Sequence, residues 1–274
     1  MTQIDLDAYF TRIGYTGPRA ADLSTLTAIH LQHPTAIPFE NLNPLLRWPV
    51  RLDAASLQQK LVRDGRGGYC YEHNLLLSHV LQRLGFPVKW LAARVLWNVP
   101  EGIVRPRSHM LLLVDLEQGR YVADVGFGGL TLTGPLRLQT EIEQQTPHES
   151  FRLIADGEAY VMQARIDGAW RSLYAFDLQE QLLTDYEVVN WYLCNNPESH
   201  FITGLVAARA DRGCRYALRG IEFAVHVLGG GTERRLLTSA GEVRTALRET
   251  FHITLPEGPE LDAALASPFH VSSL

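Results

Sequence analysis

The chain has 274 residues, a length that suits one large domain or two or three smaller ones. Hydrophobic residues make up 46% of it and charged residues 20%, values typical of globular proteins, so disorder over the whole chain is excluded. Lys and Arg number 25 against 30 Asp and Glu, and the net charge of −5 gives no support to a protein that binds nucleic acid through a basic surface.

The distribution of apolar residues and cysteines predicts a cytoplasmic protein that does not enter membranes. The longest apolar run, residues 110–114, is far shorter than the ~20 residues that span a bilayer. The start of the chain lacks the basic and apolar segments of a signal peptide. Cys70, Cys194 and Cys214 are too few for a disulfide framework or a cysteine-rich zinc module.

Apolar residues spaced three and four apart predict helices in the first part of the chain. Asp5 and Asp53 precede two of these helices as suitable N-caps, and Gly14 and Gly85 follow two of them as suitable ends. We therefore expect residues 1–86 to form a small helical bundle. Its predicted helices lie near residues 6–13, 23–29, 54–61 and 70–84.

Short runs of β-favouring residues follow Pro87, and no helical pattern interrupts them. Asp156-Gly157 and Asp167-Gly168 separate three of the runs and are strong signals for hairpin turns. Residues 87–184 are therefore expected to form an antiparallel barrel or sandwich rather than a parallel sheet. The predicted strands cover residues 88–97, 110–116, 121–125, 151–154, 160–163 and 170–176.

The last part of the chain mixes both patterns. A helical spacing at residues 188–192 precedes two predicted strands, and a turn at Gly229-Gly230-Gly231 follows those strands. Ser239 with Glu242 is a capping box that begins another helix. Residues 185–274 are expected to form a third, α/β region, which makes the whole chain an α+β multidomain fold. The two predicted strands of this region cover residues 216–219 and 223–228.

Cys70 is the best candidate for a reactive side chain. It follows Arg66-Gly67-Gly68-Tyr69 and begins a predicted helix, where unpaired backbone N–H groups and the helix dipole favour a thiolate over a thiol. The two glycines allow a sharp turn into this helix. Cys194 and Cys214 have no comparable surroundings, and we interpret them as inert.

A thiolate nucleophile needs an imidazole partner, and the imidazole needs an acceptor that orients it. His109 begins one predicted strand, and Asp124 lies near the end of the next. A two-residue loop at Glu117-Gln118 would pair residues whose numbers sum to 235, so His109 would lie opposite Gly126. Asp124 would then be the diagonal neighbour of His109 on the same face of the sheet. A loop one residue longer would place the two side chains on opposite faces unless a bulge restored the register.

Each of these residues also has a simpler interpretation. Cys70 can be an inert core residue, His109 a structural histidine, and Asp124 a cap for the turn at Gly126. A zinc site formed by Cys70, His73 and His109 is a further alternative, although structural zinc generally takes four protein ligands and more cysteines. A cysteine at a helix start together with a His-turn-Asp hairpin indicates a nucleophilic triad better than any member alone.

Four segments carry a more specific signal, and in them the sequence resembles the arylamine N-acetyltransferase family. The resemblance covers nearly the whole chain and is densest over the first 135 residues. The four segments are Ile37-Pro38-Phe39-Glu40-Asn41-Leu42, Arg66-Gly67-Gly68-Tyr69-Cys70-Tyr71-Glu72, Ser108-His109-Met110 and Asp124-Val125-Gly126-Phe127-Gly128.

The resemblance implies an acyltransferase with a triad of Cys70, His109 and Asp124, with acetyl-coenzyme A as the donor and without a metal. In that family the cysteine takes up the acetyl group, coenzyme A leaves, and an arylamine or arylhydrazine attacks the thioester. The resemblance also implies that the third region forms a lid, and that the core is similar to that of cysteine proteases and transglutaminases.

The resemblance further suggests which residues contact the substrates. Those expected to line a slot for the aromatic ring of the acceptor are Phe39, Tyr71, Phe127 and Gly128. Those expected to contact coenzyme A are Trp97, Asn98, Gly126 and Phe201.

Two other functions compete with acetyl transfer. A cysteine hydrolase or a transglutaminase-like enzyme has the same chain order of Cys, His and Asp, because the triad determines the acyl-thioester step and not the acceptor. A binding module that keeps the fold without catalysis is disfavoured, because all three triad residues are present.

Overall fold

The structure, a computed structural model, describes residues 4–100 and 102–269. It confirms the α+β fold, with helices at the start of the chain and two antiparallel sheets after them. Within the described ranges, no helix is both long and apolar enough to cross a bilayer.

The first part of the chain contains the four predicted helices and two short elements that were not predicted. Asp5 caps the first helix by accepting the N–H of Ala8, and Gly14 ends it with a φ of 70°. The fourth predicted helix begins at Cys70. In chain order the elements are α1 (Leu6–Ile13), α2 (Leu23–Ala36), β1 (Phe39–Glu40), α3 (Leu42–Leu45), α4 (Ala54–Leu57), which continues as wider turns over Gln58–Arg63, and α5 (Cys70–Arg83).

The middle of the chain forms an eight-stranded antiparallel sheet that nearly closes into a barrel. Its strands are β2 (Val88–Val95), β3 (His109–Leu116), β4 (Gly119–Ala123), β5 (Leu136–Arg137), β6 (Gln144–Gln145), β7 (Ser150–Asp156), β8 (Ala159–Ile166) and β9 (Ala169–Glu180). Their order across the sheet is β5-β4-β3-β2-β9-β8-β7-β6. The side-chain amide of Gln144 bonds both to the N–H and to the carbonyl of Arg137, which links the two edge strands as a backbone pair would.

The hairpin of β3 and β4 has the predicted register. Leu116 pairs with Gly119 and Leu112 with Ala123, so the paired numbers sum to 235 and the loop has two residues. The start of β3 and the residue after β4 therefore lie at the same end of the sheet.

The last part of the chain adds helices around a five-stranded antiparallel sheet. Its elements are α6 (Leu183–Asn195), α7 (His200–Thr203), β10 (Val206–Asp211), β11 (Cys214–Arg219), β12 (Glu222–Val227), β13 (Thr232–Leu236), α8 (Ala240–Thr245), which continues as wider turns to Thr250, and α9 (Pro259–Ala266). The strand order is β1-β10-β11-β12-β13, so the sheet includes a strand from the first part of the chain. β10 and β13 were not predicted.

The strand β3 is buried on both faces, which explains its continuous apolar sequence. Met110 and Leu112 belong to a core shared with the helices of the first part, whereas Leu111 and Leu113 belong to the core inside the large sheet. A third core lies between the five-stranded sheet and the last helices. The division into domains at residues 86 and 184 stays a prediction.

Candidate active site

Two of the motif segments pack against each other and thereby place Cys70. The N–H of Glu40 donates to the carbonyl of Gly68 at 2.8 Å, and the N–H of Gly68 points back to the carbonyl of Pro38 at 3.4 Å. A Cβ at Gly67 would lie 2.0 Å from that Pro38 oxygen, so only glycine fits there. The glycines before the cysteine therefore serve the contact between the two segments as well as the turn.

A buried ion pair holds the same two segments together. The guanidinium of Arg66 donates from Nε and Nη2 to Oε1 of Glu40, at 2.9 and 2.7 Å, and Nη2 also donates to Asn43. Burial raises the pKa of Glu40, but the charges of Arg66 and Lys60 and the hydrogen bonds from Leu42 and Arg66 together outweigh it, and the net pKa is lowered. Removal of either partner would leave an uncompensated buried charge, which typically costs about 3–5 kcal/mol.

Cys70 is the first residue of α5, as predicted. The helix start is closed by Glu72, whose carboxylate accepts the N–H of Tyr69 at 3.1 Å. The Cys70 side chain is 4% exposed, and its Sγ lies 3.7 Å from the carbonyl oxygen of Ser108. The thiol therefore lies beside the residue that precedes His109.

His109 and Asp124 form the pair that the hairpin register predicts. Nε2 of His109 lies 2.7 Å from Oδ2 of Asp124, and both side chains are buried, 3% and 0% exposed. The Cys70 thiol also acts on the imidazole, because it is among the groups that raise the pKa of His109. Because Asp124 engages Nε2, Nδ1 is the ring nitrogen left for the thiol.

The electrostatics of this pair favour its charged form. Burial lowers the pKa of His109, but the charge and hydrogen bond of Asp124, together with the nearby Cys70, outweigh burial and raise that pKa to about 10. Burial also raises the pKa of Asp124, yet the imidazolium and the hydrogen bonds from Asn74 and Gly126 lower it overall. The imidazole is thus a strong base that can hold a proton taken from the thiol.

Asn74 is a site residue that the sequence analysis missed. Its Nδ2 donates to Oδ1 of Asp124 at 3.0 Å and to the carbonyl of Met110 at 2.7 Å. Its Oδ1 accepts the N–H of Val125 at 3.1 Å. Asn74 follows Cys70 by four residues on the same helix, so their common face was the available signal.

The four residues predicted for the acceptor slot have different surroundings. The ring of Phe127 meets the His109 ring edge-on at 5.0 Å between centroids. A Cβ at Gly128 would lie 3.8 Å from the ring of Phe39, so these two residues are neighbours. Tyr71 is instead fully buried in the helical core. Its neighbours there are Tyr69 and Tyr186.

The four residues predicted for coenzyme A lie in two different places. Phe201 packs against Phe39 and Tyr69, close to the cysteine. The space beside Gly126 is filled by the protein itself, because a Cβ there would lie 2.8 Å from Cα of Cys70. Trp97 and Asn98 line a separate cavity of about 370 Å³ that no triad residue borders. The other residues lining that cavity are Ile166, Asp167, Ala169 and Arg171.

The zinc alternative does not fit the position of His73. Its Nδ1 bonds to His33 at 2.9 Å and its Nε2 to the carbonyl of Pro38 at 3.1 Å, so neither nitrogen is available to a metal beside Cys70. Over residues 4–100 and 102–269, no group of three or more His, Cys, Asp and Glu side chains is arranged to hold a metal ion.

Comparison with known proteins is consistent with this geometry. A family model described as N-acetyltransferase matches residues 22–259. The arylamine N-acetyltransferase of Mycolicibacterium smegmatis is 45% identical over 96% of this chain and 98% of its own length. That of Escherichia coli is 41% identical over 92% and 89%.

Solved structures give the same result. The arylamine N-acetyltransferase of M. tuberculosis has a TM-score of 0.92 and 42% identity, and covers 95% of this chain and 99% of its own. That of Mycobacterium marinum, solved in complex with CoA, has a TM-score of 0.93 and 41% identity, and covers 96% and 99%. The chain belongs to the arylamine N-acetyltransferase family, a family of acetyltransferases.

Proposed function

We propose that this enzyme transfers an acetyl group from acetyl-coenzyme A to the amino group of an arylamine or arylhydrazine, through an acetyl thioester on Cys70. The donor and the acceptor class follow from family membership and from the CoA complex of the M. marinum relative. The observation that carries the mechanism is the buried hydrogen bond between His109 and Asp124, with the Cys70 thiol beside Ser108, the residue that precedes His109. The cytoplasmic location expected from the sequence stays a prediction.

In the first half-reaction Cys70 is the nucleophile. Nδ1 of His109 holds the proton taken from the thiol, and the thiolate attacks the carbonyl carbon of the donor thioester. The bond from carbon to the coenzyme A sulfur then breaks, and that sulfur leaves with the proton of the imidazolium. The Asp124 carboxylate stabilises the imidazolium throughout and holds the ring in its orientation.

In the second half-reaction the amine attacks the acetyl-cysteine. His109, now neutral, accepts a proton from the attacking nitrogen, and the bond from carbon to the Cys70 sulfur breaks. Cys70 leaves as a thiolate beside the imidazolium, which restores the starting state. Backbone N–H groups at the start of α5 are candidates to stabilise the oxyanion in both halves.

The aromatic acceptor is proposed to bind beside Phe127 and Phe39. Phe127 lies against the His109 ring, so a substrate ring next to it would bring its amino group near the base. Phe201 and Gly128 adjoin Phe39 and are proposed to complete the slot. Contacts of Tyr71, Trp97, Asn98 and Gly126 with substrates stay predictions.

The order of product release tests this proposal. Mixing the enzyme with acetyl-coenzyme A in the absence of amine should release about one coenzyme A per Cys70, and adding an arylamine should restore turnover. Double-reciprocal plots should show parallel lines, and a Cys194→Ser control should behave as the native enzyme does. Intersecting lines, or release that requires the amine, would contradict the thioester mechanism. Acetate formation as fast as amine acetylation would favour the hydrolase.

A further inference from the structure

A buried histidine contacts the backbone of Asp124, the residue whose side chain pairs with His109. His30 belongs to α2 and has none of its surface exposed. Its Nε2 accepts the backbone N–H of Asp124 at 3.0 Å. The two residues are 94 positions apart, so a helix of the first part of the chain holds the loop that carries the carboxylate.

The backbone N–H of Asp124 needs an acceptor that the pairing of β3 with β4 does not provide. The ladder between β3 and β4 ends at the pair Leu112 and Ala123, so the N–H of Asp124 lies just past the last paired residue. A buried backbone N–H without an acceptor would cost free energy. His30 supplies the acceptor, and it does so at the residue that orients the imidazole of His109.

The bond also defines the protonation state of His30. Because Nε2 accepts a hydrogen bond, it carries no proton, and the neutral ring holds its proton on Nδ1. Burial lowers the pKa of His30 to about 4 and outweighs the opposing charge of Asp124. His30 is therefore neutral near pH 7, whereas His109 is the protonated member of the triad.

The remaining polar groups of Asp124 are held as well. Oδ1 accepts from Asn74 at 3.0 Å and from its own loop at Gly126, 2.9 Å away. The carbonyl oxygen accepts the hydroxyl of Thr131 at 3.1 Å. His30 fixes the one backbone group of this residue that these contacts leave free.

We propose that His30 is a positioning residue for the catalytic carboxylate. By accepting the backbone N–H of Asp124, His30 orients Asp124 toward His109. The inference rests on the catalytic role proposed above for Asp124. If the peptide of Asp124 rotates when this acceptor is lost, Oδ2 moves away from Nε2 of His109. The imidazolium then loses part of its stabilisation, and both half-reactions become slower.

Two substitutions that differ in one methylene test the proposal. His30→Gln can place its amide oxygen at the position of Nε2 and keep the acceptor for Asp124. His30→Asn places its amide at the position of Nδ1 and cannot reach that N–H. His33→Asn is the control, because His33 is a buried histidine on the same helix that contacts Tyr9 and His73 and not Asp124.

We expect His30→Asn to lower kcat/KM by about 10- to 100-fold, and His30→Gln to stay within about threefold of the native enzyme. The second measurement is the rate of Cys70 alkylation by iodoacetamide as a function of pH. The change in this rate at the high-pH end of the profile, called here the upper step, reports the loss of the His109 proton. That step should move to lower pH in His30→Asn and should not move in His30→Gln or His33→Asn. A loss of thermal stability alone would not shift it.

The proposal is overturned if His30→Asn keeps native kcat/KM and an unshifted upper step, or if His30→Gln folds and loses as much activity as His30→Asn. Should His30→Asn fail to fold, His30→Gln decides the test: retained activity with an unshifted step supports the proposal, and lost activity overturns it.

Asp124→Asn distinguishes failure of the role proposed for His30 from failure of the proposed function. If Asp124→Asn is inactive and His30→Asn is not, only the role of His30 falls, whereas a fully active Asp124→Asn removes both.

Discussion

At the residue scale, the decisive feature is that two buried groups of opposite charge share one short hydrogen bond. The 2.7 Å contact between His109 and Asp124 is enclosed by the rings of Phe127 and Tyr174. In such surroundings a charge pair interacts more strongly than in water. Each partner shifts the pKa of the other toward the charged form, and the thiol gains a base that is already oriented.

Replacing Asp124 by Asn should remove the activity while leaving the fold. The side chain keeps its shape, but an amide cannot stabilise an imidazolium, and it favours the wrong tautomer of His109. We expect kcat/KM to fall by about 10²- to 10⁴-fold, since the corresponding change in a serine protease triad costs about 10⁴. Asp177→Asn is the matched control, because Asp177 pairs with Arg107 at the surface of the large sheet. Activity of Asp124→Asn within tenfold of the control would count against the triad.

At the element scale, the site depends on how closely α5 approaches the loop after β4. The helix carries Cys70 and Asn74 one turn apart, and the loop carries Asp124 and Gly126. No side chain separates the two elements at Gly126. Cys70 and Asp124 are therefore brought together by backbone contact between a helix start and a strand end.

A methyl group at Gly126 should disturb this contact. In Gly126→Ala the new Cβ would lie 2.8 Å from both Cα of Cys70 and Nδ2 of Asn74, so the helix start must shift. We expect about a 10- to 100-fold loss of kcat/KM. Gly129→Ala is the control, because a Cβ there would meet nothing within 4 Å. Equal activity of the two variants would show that the close approach does not matter for catalysis.

The strands also show which elements the sequence could predict and which it could not. The β3–β4 register followed from a two-residue turn between apolar runs, and with it the pairing of His109 with Asp124. By contrast, β10 (Val206–Asp211) is rich in alanine and lacks the alternation of a half-buried strand. The edge strand β13 (Thr232–Leu236) is exposed along its whole length, so no buried face produces a pattern.

At the scale of the whole molecule, Tyr9 and two buried histidines form a hydrogen-bonded network that reaches the carbonyl of Pro38. Tyr9 donates to Nδ1 of His33 at 2.8 Å, and Nε2 of His33 lies 2.9 Å from Nδ1 of His73. Because Nε2 of His73 faces the carbonyl of Pro38, it must be the donor there, and the proton positions in the chain follow. A sequence gives no sign of such a network, because its members lie on separate helices.

His33 and His73, together with His30, should make the protein less stable in acid. Burial lowers the pKa of His30 and of His73 to about 4, against about 6.5 in an unfolded chain, and it lowers that of His33 as well. Their contribution is complete above pH 6.5 and is lost as the pH falls through about 4, because the unfolded chain takes up protons first. The raised pKa of His109 acts in the opposite sense, and its contribution is lost as the pH rises through about 10.

Urea unfolding between pH 7.5 and 4.5 measures this effect. The free energy of unfolding should fall below pH 6.5 by up to about 1.4 kcal/mol per pH unit for each histidine that is protonated on unfolding. His30→Gln has no titrating group at that position, so its slope should be smaller by about one proton. An unfolding free energy that does not change over this range, or an unchanged slope in His30→Gln, would contradict the assigned neutral state.

The mass of the intact protein, measured after a brief exposure to the acetyl donor without any amine, tests the thioester mechanism. A sulfur activated by His109 should gain one acetyl group, which peptide mapping assigns to Cys70 and a later addition of arylamine removes. The chain would then carry the thioester on which every step depends. An unchanged mass, or an acetyl group on another residue, would contradict the mechanism.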